Sequence, residues 1–249
     1  MSLADVFANI PSLGINAGIR KGRVPCDGYK RGWGLQFGEL AQAVESDRLF
    51  QKCMSTSTIG SIVDQRKRYN LHLLLTQFLP RLQHRNVIEF GSFKGGNAIF
   101  MALVMREICP DAKVFALDTY EGMPTTDKSI DAHNTNDFSE AHLPALKREI
   151  DRLKLTNLIP LKGLFQDTFP TIDIGVKFGL AHIDADIYSS VKYAQDAVWP
   201  RMTAGGYVAY DDADVSSCIG ATEAVEDLII ERQAHAEQVW PHFVFRVGL

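Results

Sequence analysis

The chain has 249 residues, 46% of them hydrophobic and 22% charged, which is an ordinary globular composition with enough apolar material for one large core. A formal net charge of −4 leaves no basic excess to neutralise phosphates, which argues against nucleic acid as a partner. No stretch approaches the roughly 18 uninterrupted apolar residues of a membrane span, and the start "MSLADVFANIPSLG" lacks the basic opening and apolar run of a signal peptide.

Residues 1–60 are rich in glycine and irregular, with a helix expected at 39–52. They are read as an N-terminal cap, contributing to substrate binding or to an oligomer, and residues 61–249 as one catalytic domain. The basic runs "RKGR" (20–23) and "RKR" (66–68) read as solvated faces. From residue 61 a helical pattern carries Leu71, Leu74, Leu75, Phe78, Leu79 and Leu82 on one apolar face. The texture then switches. Short apolar runs at 86–91, 113–118, 158–163, 178–184 and 205–212 read as strands. Helical patterns at 95–108, 139–155, 188–202 and 220–234 separate or follow them, with Ser139 a candidate N-cap. Residues 237–248 read as one strand or a hairpin. Alternating elements with strands apolar on both faces point to a doubly wound α/β sheet. Ligands in such sheets bind beyond the carboxyl ends of the strands.

Those ends carry the residues that look out of place. "EFGSFKGG" follows a strand and opens a helix. Gly91, Gly95 and Gly96 suit a nucleoside-binding turn, although the spacing is neither the dinucleotide fingerprint nor a P-loop. Tight strand–helix packing is the plainer reason for such glycines. Asp118 ends the next strand, where a carboxylate takes ribose hydroxyls. Glu89, just before the turn, would repel a pyrophosphate and favours a nucleoside with a cationic or zwitterionic end, such as S-adenosylmethionine.

Asp184 and Asp186 flank Ala185 at the end of the fourth strand, and Asp211 and Asp212 end the fifth, followed by Asp214. If these strands are neighbours, the carboxylates meet at one rim and raise each other's pKa unless a cation intervenes. Oxygen-only ligands point to magnesium, calcium or manganese. The alternative is that some are helix caps: Asp186 for the helix from residue 188, Asp214 or Ser216 for the next. The cysteines are scattered, with no CxxC pair and no Cys/His spacing that suggests zinc. Free thiols in a reducing cytoplasm are the expectation.

The blocks "VIEFGSFKGGNAI", "LDTYEGMP", "LKGLFQDTFP", "HIDADIYSS" and "GGYVAYDD", in this order, resemble the macrocin O-methyltransferase family. These are class I, S-adenosylmethionine-dependent and metal-dependent enzymes that methylate sugar hydroxyls in natural-product biosynthesis. The resemblance implies a Rossmann-like seven-stranded methyltransferase sheet with the last strand antiparallel, supplied by "FVFRVG", and an N-terminal helical cap. It further implies Asp184, Asp211 and Asp212 as magnesium ligands and Asp186 as general base. Asp118 becomes the ribose ligand. Glu89, Gly91 and Ser92 form the methionine-end turn, and Phe165 and Asp167 line the adenine side. Gly95, Thr119 and Asp184 are counted with the cofactor site. The loop over 121–142 is expected to close on the acceptor. Its His133 and His142 are candidates for substrate contact or proton handling, a solvated loop being the alternative. His182 reads as structural, and His72, His84, His235 and His242 stand in no constellation. The expected acceptor is a glycosylated or polyhydroxylated small molecule, and a homo-oligomer is expected. The rivals are a related metal-site enzyme of the cephalosporin-hydroxylase-like group and a non-catalytic S-adenosylmethionine-binding partner protein.

Overall fold

The computed structural model describes residues 39–248. The glycine-rich start of the chain, with Cys26 and the 20–23 basic run, lies outside the described residues. The helix expected at 39–52 is two helices, α1 (Glu39–Glu45) and α2 (Arg48–Thr56). Asp47 separates them: its backbone is extended, and its carboxylate accepts from the Phe50 amide at 2.9 Å, capping α2. Next, α3 (Gln65–Leu73) starts on the Asp64 cap and continues through a π turn at Leu74–Phe78 and a 3-10 turn at Leu79–Arg81. Pro80 has no amide to donate, which ends the regular helix there.

Strand and helix then alternate as expected: β1 (Asn86–Phe90), α4 (Gly96–Ile108), β2 (Val114–Asp118), α5 (Leu143–Leu153), β3 (Leu158–Lys162), a single-turn α6 (Phe165–Thr168), β4 (Phe178–Ile183), α7 (Tyr188–Val198), β5 (Met202–Tyr210) and α8 (Ile219–Arg232). The C-terminal segment is a hairpin of β6 (Ala236–Gln238) and β7 (Phe243–Arg246). The sheet has seven strands in the order β3-β2-β1-β4-β5-β7-β6. β1 to β5 run parallel, and β7 lies antiparallel to β5, so "FVFR" is the reversed strand. Ser139 is not the cap of α5; His142 is, its Nδ1 accepting from the Ala145 amide at 3.2 Å.

Alternate strand residues feed two cores, one on each face. Val87, Leu180, Tyr207 and Ala209 face the helices α1 to α5, while Ile88, Phe90, Ala181, Ile183, Val208 and Tyr210 face α7 and α8. Two polar residues interrupt the first face. Glu89 and His182 are register partners on β1 and β4, and both are fully buried. The chain passes from β1 to β2 on one side and returns to β4 on the other. The switch point therefore lies between β1 and β4, where doubly wound sheets open their ligand crevice.

Candidate active site

A cavity of about 560 Å³ opens at this point, within the usual range of small-molecule sites. The ends of β1, β2, β4 and β5 form its floor, and Gly60–Asp64 and the 119–138 loop form its walls.

At one end the chain turns through Gly91, whose φ is +90°. A Cβ there would lie 1.6 Å from the Asp184 carbonyl oxygen, so only glycine lets the ends of β1 and β4 meet. This contact seats Asp184 beside the turn. Gly95 caps α4 at φ +86° and does not line the cavity; a Cβ there would strike Leu146 at 2.5 Å. Packing accounts for both glycines, whatever binds above them.

Glu89 Oε1 accepts from Asn97 Nδ2 at 2.7 Å and faces His182 Nδ1 at 3.2 Å, but its Oε2 has no partner. The Ser92 hydroxyl is likewise buried and unpartnered. Both residues line the cavity. Buried polar atoms are normally satisfied, and a carboxylate oxygen beside a hydroxyl fits the ammonium and carboxylate of an amino-acid ligand. Asp118 accepts from the amides of Phe93 at 2.8 Å and Tyr120 at 2.6 Å, one on each oxygen. Burial pushes its carboxyl up, against the pull of those amides. A carboxylate has about four acceptor positions, so room remains for a diol. Thr119 lines the cavity, yet its hydroxyl is committed to the Gly122 carbonyl at 2.6 Å. Phe165 lines it too, edge-on to Phe90 at 5.2 Å. Asp167 is exposed and off the cavity wall, where Gln166 stands instead.

At the other end the acids converge. Asp184, Asp211 and Asp212 each bring a carboxylate oxygen into a group lying within 4.8 Å. Burial, and then the neighbouring acids, push Asp184 and Asp212 well above the carboxylate range. Asp211 goes the other way. Burial opposes its charge, but the hydrogen bond from His242 and the imidazole of His182 at 3.4 Å hold it well below the usual value. His242 Nε2 lies 3.1 Å from Asp211 Oδ1, and its Nδ1 meets the Asn70 amide nitrogen at 3.1 Å. Burial pushes His242 down to about 4, so it is a neutral donor. Burial alone would also lower His182, but Asp211 at 3.4 Å and Glu89 hold it up at about 9. Lys67 completes the set: its ammonium is 2.7 Å from Asp211 Oδ2 and also donates to the Asp211 carbonyl. An oxygen trio in which two carboxyls resist ionisation and the third is oriented from behind by histidines fits a hard divalent cation.

Asp186 stands apart from that trio. Its backbone is left-handed, φ +58°, a strained state that aspartate tolerates better than most residues. Its amide donates to Asp212 Oδ2 at 3.1 Å. Burial pushes its carboxyl up to about 6. It does not cap α7. That task falls to Asp131, reaching over from the loop to accept from the Tyr188 amide at 2.9 Å. Nor do Asp214 and Ser216 cap α8, whose N-cap is Cys218. The loop meets the acid rim a second time at His133, whose Nε2 lies 3.6 Å from Asp186 Oδ1.

The Macrocin-O-methyltransferase (TylF) family model matches residues 49–237. The chain belongs to this family. It is thus an O-methyltransferase with S-adenosylmethionine as methyl donor. The tetracenomycin-C 4'-O-methyltransferase of Streptomyces olivaceus, whose named substrate carries a dimethoxy-rhamnosyl group, is 30% identical over 181 residues, 69% of this chain and 68% of that protein. The mycinamicin III 3''-O-methyltransferase of Micromonospora griseorubida is 27% identical over 57% of this chain, a match spanning only 60% of that relative. In three dimensions the O-methyltransferase NovP superposes with a TM-score of 0.65 at 20% identity, covering 84% of this chain and 95% of that one. The calicheamicin methyltransferase CalS11 gives 0.63 at 18% identity over 87% and 96%. At such identities the likeness shows the fold.

Sequence reasoning missed several residues that stand around these acids. Lys67 belongs to the run read as a solvated face, but it is only 8% exposed. His182 and His242, read as structural or unassigned, both address Asp211. For His182 a signal existed: it precedes Asp184 by two on a strand and so shares its face. For Lys67, His242 and Asp131 there was none, since their partners are remote in sequence.

Proposed function

We propose that this methyltransferase acts on a hydroxyl of a sugar-bearing or polyhydroxylated small molecule in natural-product biosynthesis. Asp184, Asp211 and Asp212 hold a magnesium, manganese or calcium ion in this reading, and Asp186 is the general base. The observation that carries it is that one cavity takes in both the Glu89, Ser92 and Asp118 end and the Asp184, Asp211 and Asp212 end. The acceptors named for the relatives support the substrate class: a rhamnosylated tetracenomycin, mycinamicin III and demethyldecarbamoylnovobiocin.

The donor supplies a sulfonium methyl already activated for displacement, so the protein must orient a nucleophile and remove its proton. A divalent cation, when bound, lowers the pKa of a coordinated hydroxyl, which an alkyl alcohol needs more than a phenol does. Glu89 and Ser92 bind the amino-acid end of the donor, and Asp118 binds its ribose. Phe165 closes the adenine side. His182 and His242 fix Asp211 from behind. Asp186 turns Oδ1 toward His133 and Cys218, and its Oδ2 makes no hydrogen bond among the described residues. That oxygen receives the acceptor proton as the oxygen–methyl bond forms and the sulfur–methyl bond breaks. A carboxyl held near 6 suits the task, since an effective base titrates close to the working pH. Residues up to 60 act as a cap on the domain that follows, and Gly60 at the end of that segment reaches the cavity wall.

The test is S-adenosylmethionine consumption across a panel of glycosides, in EDTA and with magnesium restored. Asp186→Asn is expected to bind the donor normally by calorimetry and to lose about 10²–10⁴ in kcat. Turnover undiminished in EDTA removes the metal from this reading, and full turnover in the variant removes the base.

A further inference from the structure

The acid rim has a second group of potential ligands, distinct in chemistry from the aspartate trio. His133 from the loop, Asp186 after β4 and Cys218 at the start of α8 bring Nε2, a carboxylate oxygen and a thiol together. Cys218 Sγ is 3.5 Å from His133 Nε2 and 3.5 Å from Asp186 Oδ1, and the two latter atoms are 3.6 Å apart. Tetrahedral zinc, with Zn–S of about 2.3 Å, Zn–N of about 2.05 Å and Zn–O of about 2.1 Å, requires separations of about 3.6 Å from sulfur to nitrogen and to oxygen, and about 3.4 Å between nitrogen and oxygen. The three ligand-to-ligand distances thus lie within about 0.2 Å of those that tetrahedral zinc requires.

Two further observations fit a metal better than a hydrogen-bonded cluster alone. His133 Nδ1 faces Asp137 Oδ2 at 3.3 Å. This carboxylate–histidine pairing fixes the tautomer that leaves Nε2 as an acceptor, the arrangement behind most metal-bound histidines. All three candidate ligands also line the cavity, so an ion held by them would face the ligand space. Imidazole, thiolate and one carboxylate make a softer set than Asp184, Asp211 and Asp212, so a thiophilic ion sorts to this site and a hard ion to the other.

We propose that His133, Asp186 and Cys218 form a zinc site beside the hard-metal site, and that zinc on Asp186 Oδ1 draws charge from the carboxylate and weakens Oδ2 as the base for acceptor deprotonation. Binding replaces the thiol proton by the metal: the sulfur–hydrogen bond breaks, a sulfur–zinc bond forms, and one proton leaves to solvent. No redox partner is needed. The inhibitory consequence rests on the assignment of Asp186 as base; the site itself does not.

Cobalt(II) is the probe, titrated into the full chain in the presence of excess magnesium. One equivalent is expected to give a sulfur-to-cobalt charge-transfer band together with intense tetrahedral d–d bands, both removed by zinc and not by more magnesium. Cys218→Ser abolishes the charge-transfer band, and Asp137→Asn weakens cobalt affinity by about 10–100-fold. Circular dichroism confirms that each variant is folded. Absence of the charge-transfer band, or its survival in Cys218→Ser, overturns the site. Zinc at one equivalent is expected to suppress methyl transfer in the parent protein and not in a variant whose cobalt band is lost. A normal cobalt signature with undiminished turnover on zinc loading overturns the inhibitory role while leaving the site. The optical titration reads the same whether or not a methyl acceptor has been found, so failure of the proposed function and failure of the zinc site are separable.

Discussion

Replacing Lys67 by methionine keeps its aliphatic stem and removes the ammonium that, among the described residues, contacts Asp211. The pair is 2.7 Å apart, and the two side chains are only 10% and 8% exposed. A unit-charge pair at that distance is worth about 6 kcal/mol at an effective dielectric of about 20, before the cost of desolvating the ammonium. Breaking a buried pair from one side typically costs about 3–5 kcal/mol, because the other charge is left without its partner. His182 and His242 still hold Asp211, which places the loss near the lower end, about 3 kcal/mol. Unfolding entropy of about 2.1 cal/mol/K per residue over 249 residues then converts this to a fall in Tm of about 6 °C. Scanning calorimetry at neutral pH in EDTA reads it directly. Adding magnesium to Lys67→Met is expected to recover part of the loss, since a cation at the aspartate trio takes over some of the compensation. A Tm within about 1 °C of the parent in EDTA would refute the reasoning, because Lys67 would then not be neutralising a buried charge.

Glu149 on α5 is a second buried acid with a full set of donors: Arg152 at 2.7 Å, the Thr58 amide at 2.7 Å and Ser57 at 3.1 Å. The Arg152 hydrogen bond leads in holding it at about 2, below its ordinary 4.5. The depressed value means that its stabilisation is complete above pH 4.5 and is lost as pH falls toward 2. Glu149→Gln is expected to cost about 1–2 kcal/mol at neutral pH after allowance for solvent screening, and nothing near pH 2, in paired urea titrations. Gly220→Ala would place a Cβ 2.1 Å from Asp131 Oδ1 and 2.6 Å from the Tyr188 amide, breaking the tether between loop and α7. A loss of about 2–3 kcal/mol and faster proteolysis between residues 119 and 142 should follow; unchanged cleavage would count against the tether. His142→Ala removes the α5 cap, for about 1 kcal/mol, with kcat unaltered, and a fall in kcat at equal stability would show a role beyond capping.

The strand–helix alternation from residue 86 onward, the doubly wound sheet and the placing of acids at strand ends were legible because each is a local property. Apolar runs report burial on both faces, and Asp118, Asp184, Asp211 and Asp212 mark where those runs stop. The cofactor end was legible in part. Asp118 and Glu89 do face the cavity, but Gly95 and Asp167 do not line it, since a turn read in one dimension does not say which way each residue points. Elements at boundaries were misjudged where a side chain supplied a cap the pattern does not show, as Asp47 does between α1 and α2 and His142 does before α5.

The sequence by itself determined that four carboxylates stand at the ends of two buried strands, and its ordered motifs pointed to the family. Only the tertiary structure decided what stands around those acids. Lys67 reaches Asp211 across 144 positions, and Cys218 reaches His133 across 85. Hydrophobic periodicity carries no information about such pairs, because a buried polar side chain is admitted wherever the fold happens to supply its partner. The same limit applied to zinc: no Cys/His spacing suggested it, yet folding places a histidine, a cysteine and an aspartate from three separate segments at ligand distance.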